Sequence, residues 1–313
     1  MSSSSVFKKA EKNRPKVSVI INVYNGEKYI DETVDSILRQ SYQNLELIIF
    51  DNCSTDGTMD ILKRIDDDRL QFHSSASLVP LYSARNMAVE KTRGEFIAFC
   101  DADDLWFPTK LEEQLAELEK TKDMVICTNF LLLNERGGDK EYSWVYDKLP
   151  EQSNHNLIIN KPYIHMSSLL VDTRIFTEYG VYFNPELTIL GDMDFFVRCF
   201  EFSDISVIDN FLTIYRFHNE NTGLLRFKEL YTTEGSTLVA QYRNSKSVSE
   251  SVLLKFEKRM NWAHYRQKVA DGESIVFGRA IKLLGVLKVL KICVLILLPN
   301  PLIRKISMFR NKI

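Results

Sequence analysis

The sequence predicts an α/β protein with a mostly parallel central sheet and helices on both faces, and three observations carry that prediction. Short apolar, β-branched runs alternate with amphipathic segments through the N-terminal third of the chain. These runs end in turns rich in Gly, Asn and Asp, as strand-to-helix connections do. One of them, Gly94 to Cys100, stops at the carboxylates Asp101, Asp103 and Asp104, where an open α/β sheet binds its ligands.

In chain order, Val17 to Val23 is the first strand and breaks at Tyr24-Asn25-Gly26. Ile30, Val34, Ile37 and Leu38 follow at i, i+4, i+7 and i+8, the spacing of a helix with one apolar face. A second buried strand, Leu45 to Phe50, ends at Asp51-Asn52-Cys53-Ser54-Thr55-Asp56-Gly57. The next helix begins at Thr58, with Ile61, Leu62 and Ile65 on one side and Ser54, Thr55 or Asp56 as its N-cap. A strand from Leu70 to His73, a helix over about residues 82–91 and the strand after Gly94 continue the alternation. Right-handed crossovers between parallel strands place Tyr24, Asp51 and Asp101 along one edge. No glycine-rich phosphate loop is present, so a divalent cation carrying a phosphorylated ligand is the economical partner of these acids.

The 313 residues, 45% hydrophobic and 26% charged, suit one large domain or a smaller domain with an appendage. A net charge of −2 hides an asymmetry: residues 274–313 hold eight basic residues and no acid, leaving 32 basic against 42 acidic elsewhere. An acidic body without a recognition motif does not suit nucleic-acid binding. The five cysteines are scattered with no C-x-x-C pair, which fits free thiols in a reducing cytosol rather than disulfides or zinc. Residues 1–14 have no apolar signal core and read as a flexible lead-in. Residues 275–298 are apolar, but Arg279, Lys282, Lys288 and Lys291 leave no uninterrupted run near the ~20 residues a span needs. The expectation is a helical tail lying on the inner face of the cell membrane, with its basic groups toward anionic headgroups. The alternative is a helix packed on the main domain or on a second subunit, which leaves a homo-oligomer open.

Four blocks, Val17 to Gly26, Asp51 to Thr58, Ser83-Ala84-Arg85-Asn86-Met87-Ala88 and Phe99 to Asp104, resemble in order and spacing the family 2 glycosyltransferases. That resemblance implies an inverting enzyme of the GT-A fold that uses a nucleotide-activated sugar with Mn2+ or Mg2+. It implies Asp51 at the base, Arg85 at the nucleotide, Asp101 at the ribose and Asp103 at the metal. Val23, Tyr24, Asn25 and Ala102 would complete the nucleotide-sugar site, with Val23 and Tyr24 lining the base pocket largely by backbone. Asn22 stands where the family usually has proline, and Cys53 where it often has glycine, which implies altered loop detail with binding retained.

Acceptor chemistry belongs to the second half. Single displacement needs a base to take the acceptor hydroxyl's proton, and Gly191-Asp192-Met193-Asp194, opening an apolar helix, supplies the candidate. It looks like the family's Glu-Asp motif, with Asp192 as the catalytic base and Gly191 in place of the usual Glu. The local alternative makes Asp192 a helix N-cap and pairs Asp194 with Arg198 at i, i+4; it is preferred for Asp194 and not for Asp192. Ile214 to Asn221 resembles the family's Tyr-Arg-x-His segment, so His218 is a candidate for the metal or the diphosphate. His165 and Asp194 remain lesser candidates at the acceptor or diphosphate, against plain structural roles. Trp106 is read as packing a loop, and residues 131–162 as a turn-rich acceptor loop.

The sequence therefore predicts a metal-dependent inverting transferase: a nucleotide-sugar-binding catalytic domain over 15–222 and a helical basic region over 223–313. The donor would be a UDP-sugar and the acceptor a hydroxyl of a lipid-linked or growing glycan in surface polysaccharide assembly. The rivals are a sugar-nucleotide nucleotidyltransferase and a non-catalytic sugar-nucleotide-binding subunit.

Overall fold

The computed structural model describes residues 16–136, 140–150, 153–161 and 163–270. The basic tail beyond residue 270, with Cys293, lies outside the described residues, as do residues 1–14. Among the described residues no helix is long and apolar enough to cross a membrane.

The chain divides into two compact units, Met1–Ile158 with Pro162–Asn219, and Ile159–Lys161 with Glu220–Ile313. The first unit opens as the alternation predicts: β1 (Val17–Val23), α1 (Ile30–Leu38), β2 (Leu45–Asp51), α2 (Thr58–Leu62), β3 (Leu70–Ser74), α3 (Leu81–Val89) and β4 (Phe96–Asp101). It continues through β5 (Leu105–Trp106), α4 (Lys110–Thr121), β6 (Val125–Asn134), β7 (Glu141–Trp144) and α5 (His155–Asn160), which runs into the second unit. A 3-10 turn at Met166–Ser168, β8 (Leu170–Asp172), α6 (Arg174–Thr177), α7 (Gly191–Cys199) and β9 (Ile205–Phe217) complete it.

The nine-stranded sheet runs β3-β2-β1-β4-β8-β6-β9-β5, with β7 off this path and paired to the C-terminal part of β6. β3, β2, β1 and β4 are parallel, as expected. The second half is mixed: β8 runs antiparallel to both β4 and β6, while β6 and β9 are parallel. Apolar periodicity marks a strand but carries no direction, so the antiparallel insertion of β8 left no trace in the pattern. Part of the stretch read as a turn-rich acceptor loop is regular: β6 extends through Asn134 and pairs with β7.

Alternation sends odd-numbered residues of β1 and β2 to one face and even-numbered ones to the other. Val17, Val19, Ile21, Leu45, Leu47 and Ile49 pack against Ile30, Val34 and Ile37 of α1 and Leu111 and Leu115 of α4. On the other face Phe99 lies edge-on to Phe183, with ring centroids 5.4 Å apart, and Phe183 stacks on Phe195 of α7 at 4.3 Å. This second face carries α3 and α7, the two helices that bring charged groups to the strand ends.

At the opposite end of the strands the buried Glu46 accepts hydrogen bonds from the Ser18 hydroxyl, the Arg93 backbone and guanidinium, and Gln71. Gly94 admits this network, since a Cβ there would fall 2.6 Å from Ser18 N and 2.9 Å from Phe96 O.

In the second unit α8 (Thr222–Ser245) and α9 (Glu250–Ala270) form a hairpin. Leu238, Tyr242, Leu253 and Phe256 are buried in it, and Arg243 reaches Glu250 and Glu257. Arg259 donates to the carbonyls of Ile159 and Asn160, both at 2.6 Å.

Because backbone atoms bound the space at Gly94, Gly94→Ala should destabilise the protein by about 1–3 kcal/mol. Urea unfolding measures this, and an unchanged midpoint would mean that the start of β4 can shift.

Candidate active site

The site is built from strand ends. Asp51, the last residue of β2, is buried, and its carboxylate accepts from the backbone N–H of Ser54 at 3.1 Å. Val23 lies beside it in register and accepts from Asn52 N at 2.8 Å, while Tyr24 is half exposed. Asn25 takes a left-handed conformation at φ 53°, and its side chain accepts from Thr55 N at 2.8 Å. Gly26 N donates to the Thr58 hydroxyl, and Glu27 accepts from Gly57 N. The turns after β1 and β2 are therefore tied together before any ligand arrives. Cys53 sits in this seam at φ 65°. The backbone conformation that favours glycine is kept, and the cysteine carries a strain of about 1 kcal/mol.

The acidic cluster follows β4. Asp104 is fully buried, and its carboxylate accepts from the Ser167 hydroxyl at 2.5 Å and from Arg216 N at 3.0 Å. Burial raises its pKa well above the ordinary range, and Asp103 and Asp101 push it the same way. Arg216, itself buried, donates to the Asp103 carbonyl at 2.7 Å and pairs with Glu32 at 2.7 Å and Glu135 at 3.3 Å. Ala102 is fixed through its carbonyl, which accepts from Thr33 at 3.0 Å. Asp103 is 24% exposed and lies 2.8 Å from His218 Nε2. β9 carries both partners, Arg216 near its end and His218 just beyond.

Asp101 and Asp192 meet through one cation. Arg85 on α3 donates to Asp101 at 2.7 Å and to Asp192 in the first turn of α7. Burial opposes the Arg85 charge, but Asp192 and Asp101 outweigh it and its pKa is raised. For Asp192 burial dominates and raises the pKa, while Arg85 works against the shift. Asp192 is not an N-cap: α7 starts after Leu190, which makes no side-chain capping bond. Asp194 is fully buried and pairs with Arg198 at 2.8 Å, the local arrangement preferred from the sequence.

His165 lies between Tyr215, at 4.4 Å, and Phe130, at 5.5 Å between ring centroids, with Nδ1 3.5 Å from Asp104. Burial lowers its pKa, which favours the neutral ring. Trp106 packs internally and donates from Nε1 to the Ser167 carbonyl at 2.9 Å. Two groupings could hold a cation. Among the described residues Asp101, Asp104 and His165 present ligand atoms within 4.8 Å of one another. The Asp104 oxygens are already engaged by a hydroxyl and an N–H, and Asp101 faces Arg85, so this set suits a cation poorly. Asp103 with His218 offers a carboxylate and an imidazole with solvent on one side, which fits a divalent ion that keeps some of its waters.

Sequence reasoning placed Asp104 at the acidic strand end without giving it a role, and missed Ser167 and Lys110 as members of this region. Lys110 is fully buried 4.0 Å over the Trp106 ring, and burial lowers its pKa to about 7. Asn22 carries a buried Nδ2 without a hydrogen-bond partner, on the sheet face that carries Asp101. The polar spacing around Asn22 gave a signal as a departure from the family pattern; Lys110, in the first turn of an amphipathic helix, gave none.

The architecture is that of a GT-A glycosyltransferase. The structure of S. aureus TarS residues 1–349 in complex with UDP-GlcNAc superposes with a TM-score of 0.68 at 20% identity, covering 85% of this chain and 78% of that one. The profile of Glycosyl transferase family 2 matches residues 18–180, and the chain belongs to that family. A Rickettsia felis protein named as an uncharacterized glycosyltransferase is 32% identical over 212 residues, 66% of this chain but only 35% of that protein. The chain thus spans about a third of that relative. An Escherichia coli relative, UDP-Glc:alpha-D-GlcNAc-diphosphoundecaprenol beta-1,3-glucosyltransferase WfaP, is 30% identical over 217 residues, 68% of this chain and 82% of that one.

Asp194→Ala removes one partner of a buried ion pair outside the acidic cluster. It should cost about 1–3 kcal/mol of stability and leave turnover within a few-fold of the wild type. Thermal melting with a transfer assay checks both, and a loss of turnover equal to that of Asp192→Ala would move Asp194 into the chemistry.

Proposed function

We propose that the protein transfers a sugar from a nucleoside diphosphate donor, a UDP-sugar, to a hydroxyl of a lipid-linked or growing glycan in surface polysaccharide assembly. The observation that supports this most is the gathering of Asp101, Asp103 with His218, and Asp192 at one end of the sheet, Asp101 and Asp192 sharing Arg85. The E. coli relative, named for a UDP-Glc donor and a diphosphoundecaprenol acceptor, supports the choice of substrates.

In this reading Asp51 accepts from the nucleotide base and Asp101 from the ribose, the tied turns after β1 and β2 pre-order the base pocket at Val23 and Tyr24, and Asn25 and Ala102 complete the nucleotide-sugar site. A divalent ion, Mn2+ or Mg2+, held by Asp103 with His218 supplies positive charge that stabilises the departing diphosphate. Asp192 takes the proton of the acceptor hydroxyl as the oxygen attacks the anomeric carbon, from the side opposite the diphosphate. Its raised pKa makes it a stronger base than an ordinary carboxylate, provided that it stays ionised. The catalytic unit corresponds to residues 15–222. A cytoplasmic location on the inner membrane surface, with the basic tail as the contact, follows from the proposed lipid-linked acceptor.

Asp192→Asn and Asp103→Ala should each lower turnover by at least ~100-fold, the scale of a lost general base. The assay is release of nucleoside diphosphate from a nucleotide sugar in the presence of extracted lipid-linked glycan. Release of pyrophosphate from a nucleoside triphosphate would instead make the protein a nucleotidyltransferase, and donor binding without turnover would make it a binding subunit.

The pH dependence has a definite sign. Asp192 must be ionised and its pKa is raised, so activity is lost on acidification, at a pH above that expected for an unperturbed carboxylate. A kcat/KM profile that stays flat down through the ordinary carboxylate range would remove Asp192 as the base.

A further inference from the structure

Tyr82 and Arg85 lie one turn apart on α3 and both meet the first turn of α7. Tyr82 is 2% exposed, and its hydroxyl accepts from the backbone N–H of Asp192 at 3.2 Å. Its ring occupies the space beside Gly191, where a Cβ would fall 2.3 Å from a ring carbon. Arg85 is 3% exposed and holds Asp192 through Oδ1. The Asp192 side chain is 35% exposed, and its second oxygen has no hydrogen bond among the described residues.

The pair is itself locked in place. Tyr82 stacks on Phe183 with centroids 5.8 Å apart and planes 14° from parallel, and the Arg85 guanidinium lies 5.6 Å from the Phe183 ring. Asn86, one residue after Arg85, clamps the Phe183 backbone, donating to its carbonyl at 2.8 Å and accepting from its N–H at 2.9 Å.

We propose that Tyr82 and Arg85 are positioning residues that fix the backbone and one carboxylate oxygen of Asp192, leaving the other oxygen to receive the acceptor's proton. Arg85 is thereby assigned to the base rather than to direct contact with the nucleotide. The inference rests on the reading of Asp192 as the general base. Two constraints act on Asp192 from one helix, on its N–H and on its carboxylate, so neither the turn nor the side chain can rotate independently. The second guanidinium arm, on Asp101, ties this geometry to the residue expected at the donor's ribose. Misplacing a catalytic group by about 1 Å can cost ~100-fold in rate, which sets the size of the expected effect.

The test uses the full chain carrying Arg85→Gln, Arg85→Lys or Tyr82→Phe. The donor is whichever UDP-, GDP- or CDP-sugar most raises the wild-type melting temperature with Mn2+ present, and calorimetry measures binding of the corresponding nucleoside diphosphate. Arg85→Gln should lower kcat by ~100-fold or more while the dissociation constant stays within about threefold, a shift of under 1 kcal/mol. Arg85→Lys should recover part of the loss, and Tyr82→Phe, which deletes one neutral hydrogen bond, should lower kcat about three- to tenfold.

A second arm needs no activity. Arg85→Gln should lower the melting temperature more in the wild type than in an Asp192→Asn background, because the two residues interact. A weakened dissociation constant with kcat unchanged would make Arg85 a donor contact and overturn the proposal, as would additive melting shifts. If the wild type releases no nucleoside diphosphate from any donor, the glycosyl-transfer reading fails, and the melting cycle still decides whether Arg85 holds Asp192.

Discussion

Negative charge crowded at one end of a sheet is the constraint on which the rest of the structure depends. A buried carboxylate loses its hydration and is driven toward the neutral form unless dipoles or cations replace the water. The fold answers differently at each acid. Asp104 is held by neutral donors, the Ser167 hydroxyl and the Arg216 N–H, and stays shifted upward. Asp101 and Asp192 share a buried guanidinium. Asp103 keeps contact with solvent and with His218. Arg85 comes from the helix just before β4, while Ser167, Asp192, Arg216 and His218 come from elements remote in sequence, so neutralising the acids also pins α3, α7 and β9 to the end of β4. Removing one member of such a buried set typically costs about 3–5 kcal/mol, because the remaining charge is left uncompensated.

The two ends of the parallel strands show why one is read as a site and the other as structure. At the amino ends Glu46 is 2% exposed and accepts from a hydroxyl, a backbone N–H, a guanidinium and an amide. That carboxylate is saturated by protein donors and has nothing to offer a ligand. At the carboxyl ends Asp103 and Asp192 have side chains 24% and 35% exposed, so part of each carboxylate faces outward. All three groups are carboxylates; the difference lies in how many donors the protein supplies.

The parallel half of the sheet was legible in the sequence because its central strands are mostly apolar and its first helix shows a clean apolar face, at Ile30, Val34 and Ile37. The acidic strand end was legible for the same reason, since Asp101 follows directly on a buried run. The directions of β6, β8 and β9 were not, because direction is a property of the connections and not of the pattern within a strand. The destination of Arg85 was also hidden: an arginine on a helix carries no mark of which acids it will reach 107 residues away. Lys110 is the clearest failure of local reasoning, since a lysine in the first turn of a helix reads as solvent-facing and here lies over Trp106 with its charge weakened by burial. Ser167 likewise gave no signal, because its role comes from pairing with an acid 63 residues away.

Two of the departures from the family resemblance, Cys53 and Gly191, have opposite physical characters. At Cys53 the chain substitutes a larger residue for the usual glycine and yet keeps the left-handed backbone at φ 65°. The surrounding bonds from Asn25 and Ser54 over-determine the turn, so strain is accepted at the side chain and Asp51 stays in place. At Gly191 the chain has a smaller residue where the resemblance implies Glu, and the Tyr82 ring occupies the space beside it. Backbone shape is conserved in the first case, and in the second the surroundings of Asp192 are rebuilt from a neighbouring helix. The orientation of Asp192 therefore depends on what α3 presents to it, and the residue beside it in sequence contributes by making room.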